Sequence, residues 1–489
     1  MNKPLRRIAI FCGLLVFALL IRDNWLQYVR ADELRTHANN KRVDIERYAS
    51  PRGNIVVDGK EITGSKATDD TYYKYKRTYK DGPMWAPVTG FASQAFGANQ
   101  LESLEDGILT GTDDRLFFRR TIDMITGKKP GGGNVVTTLN GAAQKAAFEG
   151  LGDRKGAVAA IEPSTGRILA LVSTPSYDPS EFAGQSTADG KAWNRLGDDK
   201  DKPMLNRALR ETYAPGSTFK VVTAAAALEN GLYNGIDDKT DSPSPYKLPL
   251  TDGRNPLTNL SDAGCEDGSM KVALGQSCNT VFAKISDDLG NDKMIEQAKK
   301  FGFGQEFFTP VRAEASDYPE DNRPQNAMAG IGQASNRATP LQMAVVAGAI
   351  ANDGVVMKPN MVSELKAPNL DTVERSKPEE FGRAVSPENA QKLQQMMEYV
   401  VTDGSARGKV GLGDGYKIGA KTGTAQRGVN NSENPYAWFI SYAQAADGSS
   451  PVAVAVIVED AGVDRNQITG SGIAAPIAQK VMEAVVGRK

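Results

Sequence analysis

Apolar and polar positions divide this chain into segments of different kinds. Residues 8 to 21, Ile-Ala-Ile-Phe-Cys-Gly-Leu-Leu-Val-Phe-Ala-Leu-Leu-Ile, run without a polar side chain. Lys3, Arg6 and Arg7 precede the run, and Arg22, Trp25 and Tyr28 follow it. A membrane anchor over residues 8–28 fits this pattern, because arginines snorkel and aromatic rings suit the interface. The run is short for a span of ~20 residues, so a cleaved signal peptide is the alternative. Arg22-Asp23-Asn24-Trp25 lacks the small-x-small cleavage pattern, which favours the anchor. The positive flank places residues 1–7 in the cytoplasm and the rest outside. Cys12 follows Phe11 and is not a lipobox cysteine.

Residues 30–150 form a first extracytoplasmic region of mixed pattern. Ser50-Pro51-Arg52-Gly53-Asn54-Ile55-Val56 reads as a turn entering a strand. The Tyr-rich stretch Thr71–Tyr79 reads as a solvated surface or edge strand rather than a nucleic-acid stacking face. Leu101-Glu102 and Gly107-Ile108-Leu109 mark short helix. Gly127–Gly133 lacks phosphate-loop spacing and reads as a hairpin or linker. A strand over Val135–Leu139 and a helix over Ala142–Leu151 close the region.

From Lys155 the pattern sharpens. Ala157–Glu162 and Arg167–Val172 are apolar strands joined by Pro163-Ser164-Thr165-Gly166, a buried hairpin. Helical stretches follow Ser217, flank Ser277, and cover Leu341–Ile350 and Ala390–Val401. Tyr416–Ala425, Ala437–Tyr442 and Val452–Val458 are further strands, and Ile473–Val486 is a closing helix. Strands at both ends with helices between imply an α+β layer over residues 151–489, one antiparallel sheet covered by helices.

Composition narrows the chemistry. At 489 residues two folded domains are expected, and 24% charged with 40% hydrophobic residues is globular. A net charge of −1 leaves no basic footprint for nucleic acid. The single histidine, His37, argues against Ser-His-Asp, Cys-His and histidine-zinc sites, and reads as an exposed residue without a role. Cys12, Cys265 and Cys278 are too few for a cysteine cluster, so no metal or cofactor is called for.

The candidate chemistry starts at Tyr213-Ala214-Pro215-Gly216-Ser217-Thr218-Phe219-Lys220. Pro215-Gly216 punctuates and a helix-forming run follows, which sets Ser217 in the first turn. Lys220 lies three residues on, on the same face, giving a serine nucleophile with a lysine base. Ser-x-x-Lys is a cheap string, and a chain of this size holds roughly two by accident. The copy at Ser244–Lys247 lies in a Pro-rich loop. The copy at Ser363–Lys366 lies in a strand, where positions three apart face opposite ways. Two further elements follow Ser217 in order: Ser277-Cys278-Asn279 between two helices, and Lys421-Thr422-Gly423-Thr424 on a strand.

This ordered set resembles the penicillin-binding proteins and class A β-lactamases. Asn206-Arg207-Ala208, Gly332-Gln333, Thr339–Ala344 and Asn352-Asp353-Gly354 extend the likeness to the penicillin-binding transpeptidases. Arg52-Gly53-Asn54-Ile55 and Leu101-Glu102 are similar to the pedestal of class B members, most of all the actinobacterial penicillin-binding protein A subgroup.

The resemblance implies the penicillin-binding transpeptidase fold: an antiparallel sheet with flanking helices and an all-helical subdomain, behind an extended α+β pedestal of dimerisation type. It implies Ser217, Lys220 and Ser277 as catalytic residues, and Asn279, Lys421, Thr422, Gly423 and Thr424 as substrate-binding residues. Gly423 is expected to let the substrate approach the strand edge. The backbone N–H groups of Ser217 and Thr424 are expected to form an oxyanion hole. The implied reaction is acyl transfer from D-Ala-D-Ala stem peptides of peptidoglycan with release of D-Ala, and β-lactams would acylate the same serine. A class A β-lactamase needs a deacylating glutamate, and no Glu-x-x-Leu-Asn follows Ser277. A SEDS-family glycan polymerase is the implied membrane partner. A D,D-carboxypeptidase and a non-turnover β-lactam-binding scaffold remain alternatives. Cys278 is either a buried small side chain or the partner of Cys265 in a disulfide closing a short loop beside the site.

Overall fold

The computed structural model describes residues 3–37, 40–127, 131–261 and 264–487. Lys128, Lys129 and Pro130 of the expected hairpin or linker, Met1 and Asn2 of the expected tail, and the last two residues of the second domain lie outside the described residues. The apolar run sits inside one continuous helix, Lys3–Tyr28, with none of its residues buried. Its 26 residues extend about 39 Å, which exceeds a ~30 Å hydrocarbon core. The helix is therefore longer at its N-terminal end than the expected 8–28 segment.

The pedestal is built on a five-stranded sheet with the order Thr372–Arg375, Val362–Lys366, Asn134–Thr137, Ile55–Val57, Lys60–Glu61. Its two outermost strands on one side thus come from the second half of the chain. Under the sheet lies a charge cluster. Arg52 Nη2 donates to Glu102 Oε2 at 3.1 Å, and Arg77 Nε donates to Glu102 Oε1 at 2.5 Å. All three side chains are buried, so each charge depends on its partners; removing one costs about 3–5 kcal/mol. This corrects the expectation for Thr71–Tyr79. Tyr75–Tyr79 does pair as a ribbon with Thr63–Ala67, but its Arg77 points inward and also donates to Gly53 O.

The second domain centres on a five-stranded antiparallel sheet. Its order is Tyr416–Arg427, Glu433–Ala445, Val452–Asp460, Lys155–Ile161, Ile168–Thr174. The central strands read as continuous apolar runs because helices cover both faces. Ile161 and Ala453 pair across strands and meet Gly348 of the helix Pro340–Ala351. Ser441, paired with Val454 on the opposite face, meets Met482 of the helix Ala475–Val485.

The helix Gly141–Leu151, assigned from sequence to the first domain, packs with the second. Its Gln144 amide accepts from Leu171 N at 2.8 Å and donates to Leu171 O at 2.9 Å, capping the outer strand. Its Gly150 abuts Ile477 of the closing helix. An apolar stripe of Ala143, Ala147 and Leu151 does not say which domain it will cover.

Candidate active site

The site forms where the edge strand Tyr416–Arg427 faces the helical subdomain. Gly216 takes φ +54°, a left-handed value favourable to glycine, and turns the chain into a 3-10 turn over Gly216–Phe219. The α-helix Lys220–Glu229 continues from it. Ser217 thus starts in a tighter turn than expected, at a point where main-chain N–H groups lack intrahelical acceptors.

The turn is clamped from three sides. Gly216 N donates to Gly332 O at 2.8 Å, and a Cβ on Gly332 would lie 2.0 Å from Gly216 O. Trp438 Nε1 donates to Ala214 O at 3.0 Å. Tyr213 OH donates to Glu459 Oε1 at 2.6 Å, and Arg207 Nε reaches the same oxygen at 3.2 Å. From the sequence Trp438 reads only as part of a core strand and Glu459 carries no role; the signal available was that a buried indole N–H usually finds a partner.

Gly423 lines the cavity and also has a packing part. The space its missing side chain leaves faces Trp438 Cβ at 2.9 Å and Thr218 Cγ2 at 3.0 Å. Its smallness lets the Ser217 turn lie against the strand.

Two buried lysines flank Ser277. Lys220 Nζ donates to Ser277 O at 2.6 Å and to Asn279 Oδ1 at 2.7 Å, with Ser277 Oγ at 3.4 Å. Lys421 Nζ donates to Ser277 Oγ at 2.8 Å and to Thr422 O at 3.0 Å. Ser277 ends the helix Met270–Gln276 in the left-handed region, φ +63°. A non-glycine residue in that conformation is strained, and the hydroxyl is what Gly could not supply. Among the described residues no hydrogen bond joins Lys220 to Ser217; the Lys220 amine is held by Ser277 and Asn279, which line one cavity with Ser217.

Burial, then the neighbouring Lys421, pushes the Lys220 amine well below the usual lysine range. Burial pushes Lys421 down to about 7. Ser277 O and Asn279 Oδ1 can only accept, so a neutral Lys220 amine spends both N–H bonds on them and keeps its lone pair.

Lys421 sets a pH dependence of stability. Its folded value near 7 lies below an unfolded value of about 10.4, so between these the unfolded chain binds the extra proton. Wild-type stability therefore rises with pH across that window relative to Lys421→Met. Thermal melts of the two proteins from pH 6 to 10 should show the wild type gaining on the variant by several degrees. Parallel curves across the range would show that Lys421 stays charged when buried.

Around these groups opens a cavity of about 1030 Å³ lined by Ser217, Ser277, Asn279, Thr422, Gly423 and Thr424, among others. Asn279 Nδ2 donates to Thr258 O at 3.1 Å, so a loop of the chain itself takes up that amide. Cys265 and Cys278 are joined in a disulfide that ties the same loop to the Ser277 turn. Of the two competing Ser-x-x-Lys strings, Ser363 Oγ donates to Val136 O in the pedestal sheet, and Ser244 accepts from Asn259 of the cavity wall without lining the cavity itself.

Comparison with known proteins gives the family. Residues 156–483 match the model of the penicillin binding protein transpeptidase domain, and residues 52–135 match the penicillin binding protein A dimerisation domain. The chain is 40% identical to the peptidoglycan D,D-transpeptidase PbpA of Mycolicibacterium smegmatis, over 99% of each chain. Identity to PbpA of Mycobacterium tuberculosis is also 40%, again over 99% of each. Among solved structures, penicillin-binding protein A from M. tuberculosis superposes with a TM-score of 0.83 at 39% identity, covering 90% of this chain and all of that one. Its penicillin G acyl-enzyme complex gives 0.82 at 40% identity over 89% of this chain and all of that one. With the pedestal, the ordered motifs and the sheet-and-helix catalytic domain in place, the chain belongs to the penicillin-binding protein transpeptidase family, in the subgroup that carries the penicillin-binding protein A type of dimerisation domain.

Proposed function

We propose that this chain is a membrane-anchored serine D,D-transpeptidase that cross-links peptidoglycan stem peptides through an acyl-enzyme on Ser217. The observation that carries the reading is the hydrogen-bonded series Lys220, Ser277, Lys421, which opens on the cavity holding Ser217.

In the first half-reaction Ser217 Oγ attacks the carbonyl carbon of the penultimate D-Ala, and Lys220 takes the hydroxyl proton. This requires Lys220 to turn from Ser277 O or Asn279 Oδ1 towards Ser217; such contacts commonly tighten only with substrate bound. The backbone N–H groups of Ser217 and Thr424 receive the developing oxyanion, where one donor is typically worth about 10²–10³ in rate. The C–N bond to the terminal D-Ala then breaks. Ser277, bonded to Lys421, relays a proton to the leaving amine, and free D-Ala departs. In the second half-reaction an amine of a neighbouring stem peptide attacks the ester carbonyl, a new amide forms, and Ser217 regains its proton.

Lys421, Thr422 and Thr424 bind the terminal carboxylate, and Asn279 binds the peptide amide once the substrate carbonyl replaces Thr258 O. β-Lactams acylate the same serine. The absence of a Glu-x-x-Leu-Asn element after Ser277 supports a long-lived acyl-enzyme. The apolar N-terminal helix and its positive flank support a single-pass anchor with the catalytic domain outside the cytoplasmic membrane, and the resemblance to class B penicillin-binding proteins supports a SEDS-family glycan polymerase as partner.

Product analysis tests the reading. Incubation with a pentapeptide donor and an amine-bearing stem-peptide acceptor should give cross-linked dimer together with free D-Ala. Release of D-Ala with tetrapeptide as the sole product would assign a carboxypeptidase instead.

A further inference from the structure

Ser405 belongs to none of the motifs above. It lies just after the helix Pro387–Thr402, in a segment held against the helix that ends in Ser277. Its main-chain N–H donates to Gly275 O at 2.9 Å, two residues before Ser277. Gly404 presses on the same carbonyl, where a Cβ would lie 2.5 Å from Gly275 O. On its other side the Ser405 hydroxyl lies 2.8 Å from Thr422 Oγ1. One residue thereby joins the helix end that presents Ser277 to the strand that presents Lys421 and Thr422. Ser405, Thr422 and Thr424 line the same cavity.

We propose that Ser405 is a positioning residue for the substrate carboxylate, acting through the Thr422 hydroxyl. An isolated threonine hydroxyl rotates and presents its proton in any staggered direction. Two hydroxyls 2.8 Å apart cannot both point outward. One O–H is committed to the other oxygen, and the pair offers a single remaining O–H in a direction set by the partner. With Ser405 as the donor to Thr422 Oγ1, the outward O–H is that of Thr422, oriented and polarised before the carboxylate arrives. The main-chain bond to Gly275 keeps that orientation in register with Ser277, so the anion seat and the leaving-group relay move together.

This inference rests on Ser217 acylation, and the experiment separates the two. The full chain and its Ser405→Ala, Ser405→Thr and Ser405→Val variants are assayed with two thiolester donors. One is an N-acyl-D-Ala thioglycolate with a free carboxylate, and the other is its methyl ester. Removing the hydroxyl with Ala or Val should lower kcat/KM for the carboxylate donor roughly three- to tenfold. The methyl ester rate should stay within about twofold, and Thr should restore the carboxylate rate. Val and Thr have the same shape, so their contrast isolates the hydroxyl. Equal losses on both donors, or Val performing as well as Thr, would overturn the assignment. A wild-type protein that forms no adduct on Ser217 with either donor would overturn the functional reading instead.

Discussion

Ser217→Ala is expected to abolish covalent labelling by a fluorescent penicillin, with acylation falling by at least ~10³-fold. The expectation follows from position and from rivals. Ser217 is the hydroxyl at the head of the Lys220–Glu229 helix, clamped by Gly332, Trp438 and the edge strand, and half-open to the cavity. The rival serines of the same string are engaged elsewhere: Ser363 donates to Val136 O and Thr137 O. Ser363→Ala and Ser244→Ala should therefore label like the wild type. Ser277 is the closer rival, being hydrogen-bonded to a lysine. Its loss should slow labelling, whereas intact protein mass and peptide mapping of the wild-type adduct should put the penicilloyl group on Ser217. An adduct that persists in Ser217→Ala would remove the mechanism at its first step.

Much of this site was legible in the sequence, because short polar strings placed between apolar runs fix a local setting. Pro215-Gly216 before an alanine-rich run announces a helix start, and a break between two helices announces a turn at Ser277. Three such strings in order mark the family. The central strands and the helix Pro340–Ala351 followed from their apolar runs in the same way.

What stayed hidden depends on tertiary placement. Helical spacing puts Ser217 and Lys220 on one face, but a four-carbon lysine stem reaches acceptors from another element, and Lys220 takes Ser277 O and Asn279 Oδ1. Arg77 sits in a polar, Tyr-rich string and still turns inward, because Glu102 waits beneath the ribbon. The packing part of Gly423 shows only once the position of Thr218 Cγ2 is known. The helix Gly141–Leu151 and the strands Val362–Lys366 and Thr372–Arg375 each join a domain other than the one their place in the chain suggests. Ser405 carries no motif at all, and only its distance to Thr422 singles it out.

Lys220→Met is expected to lower the acylation rate by about 10²–10⁴, the usual worth of a positioned general base. Lys220→Arg should fail similarly, since a guanidinium keeps its proton throughout the accessible range. The pH profile carries more information than the loss itself. Lys220 acts only when neutral, and its value is held well below the usual lysine range, so the wild-type rate should fall on the acid side as Lys220 gains a proton. Lys421 serves as a cation towards Ser277 and the carboxylate, and it loses its proton as pH rises through about 7. The two requirements together give a bell-shaped profile whose limbs belong to the coupled pair. Methionine at position 220 removes the proton acceptor. The residual rate should then lose its acid limb, while the alkaline limb, set by the burial of Lys421, should stay near pH 7. A Lys220→Met enzyme with an unchanged acid limb would transfer the base role to another group. A Lys220→Arg enzyme that keeps most of its rate would show that a cation, rather than a lone pair, is what Ser217 needs there.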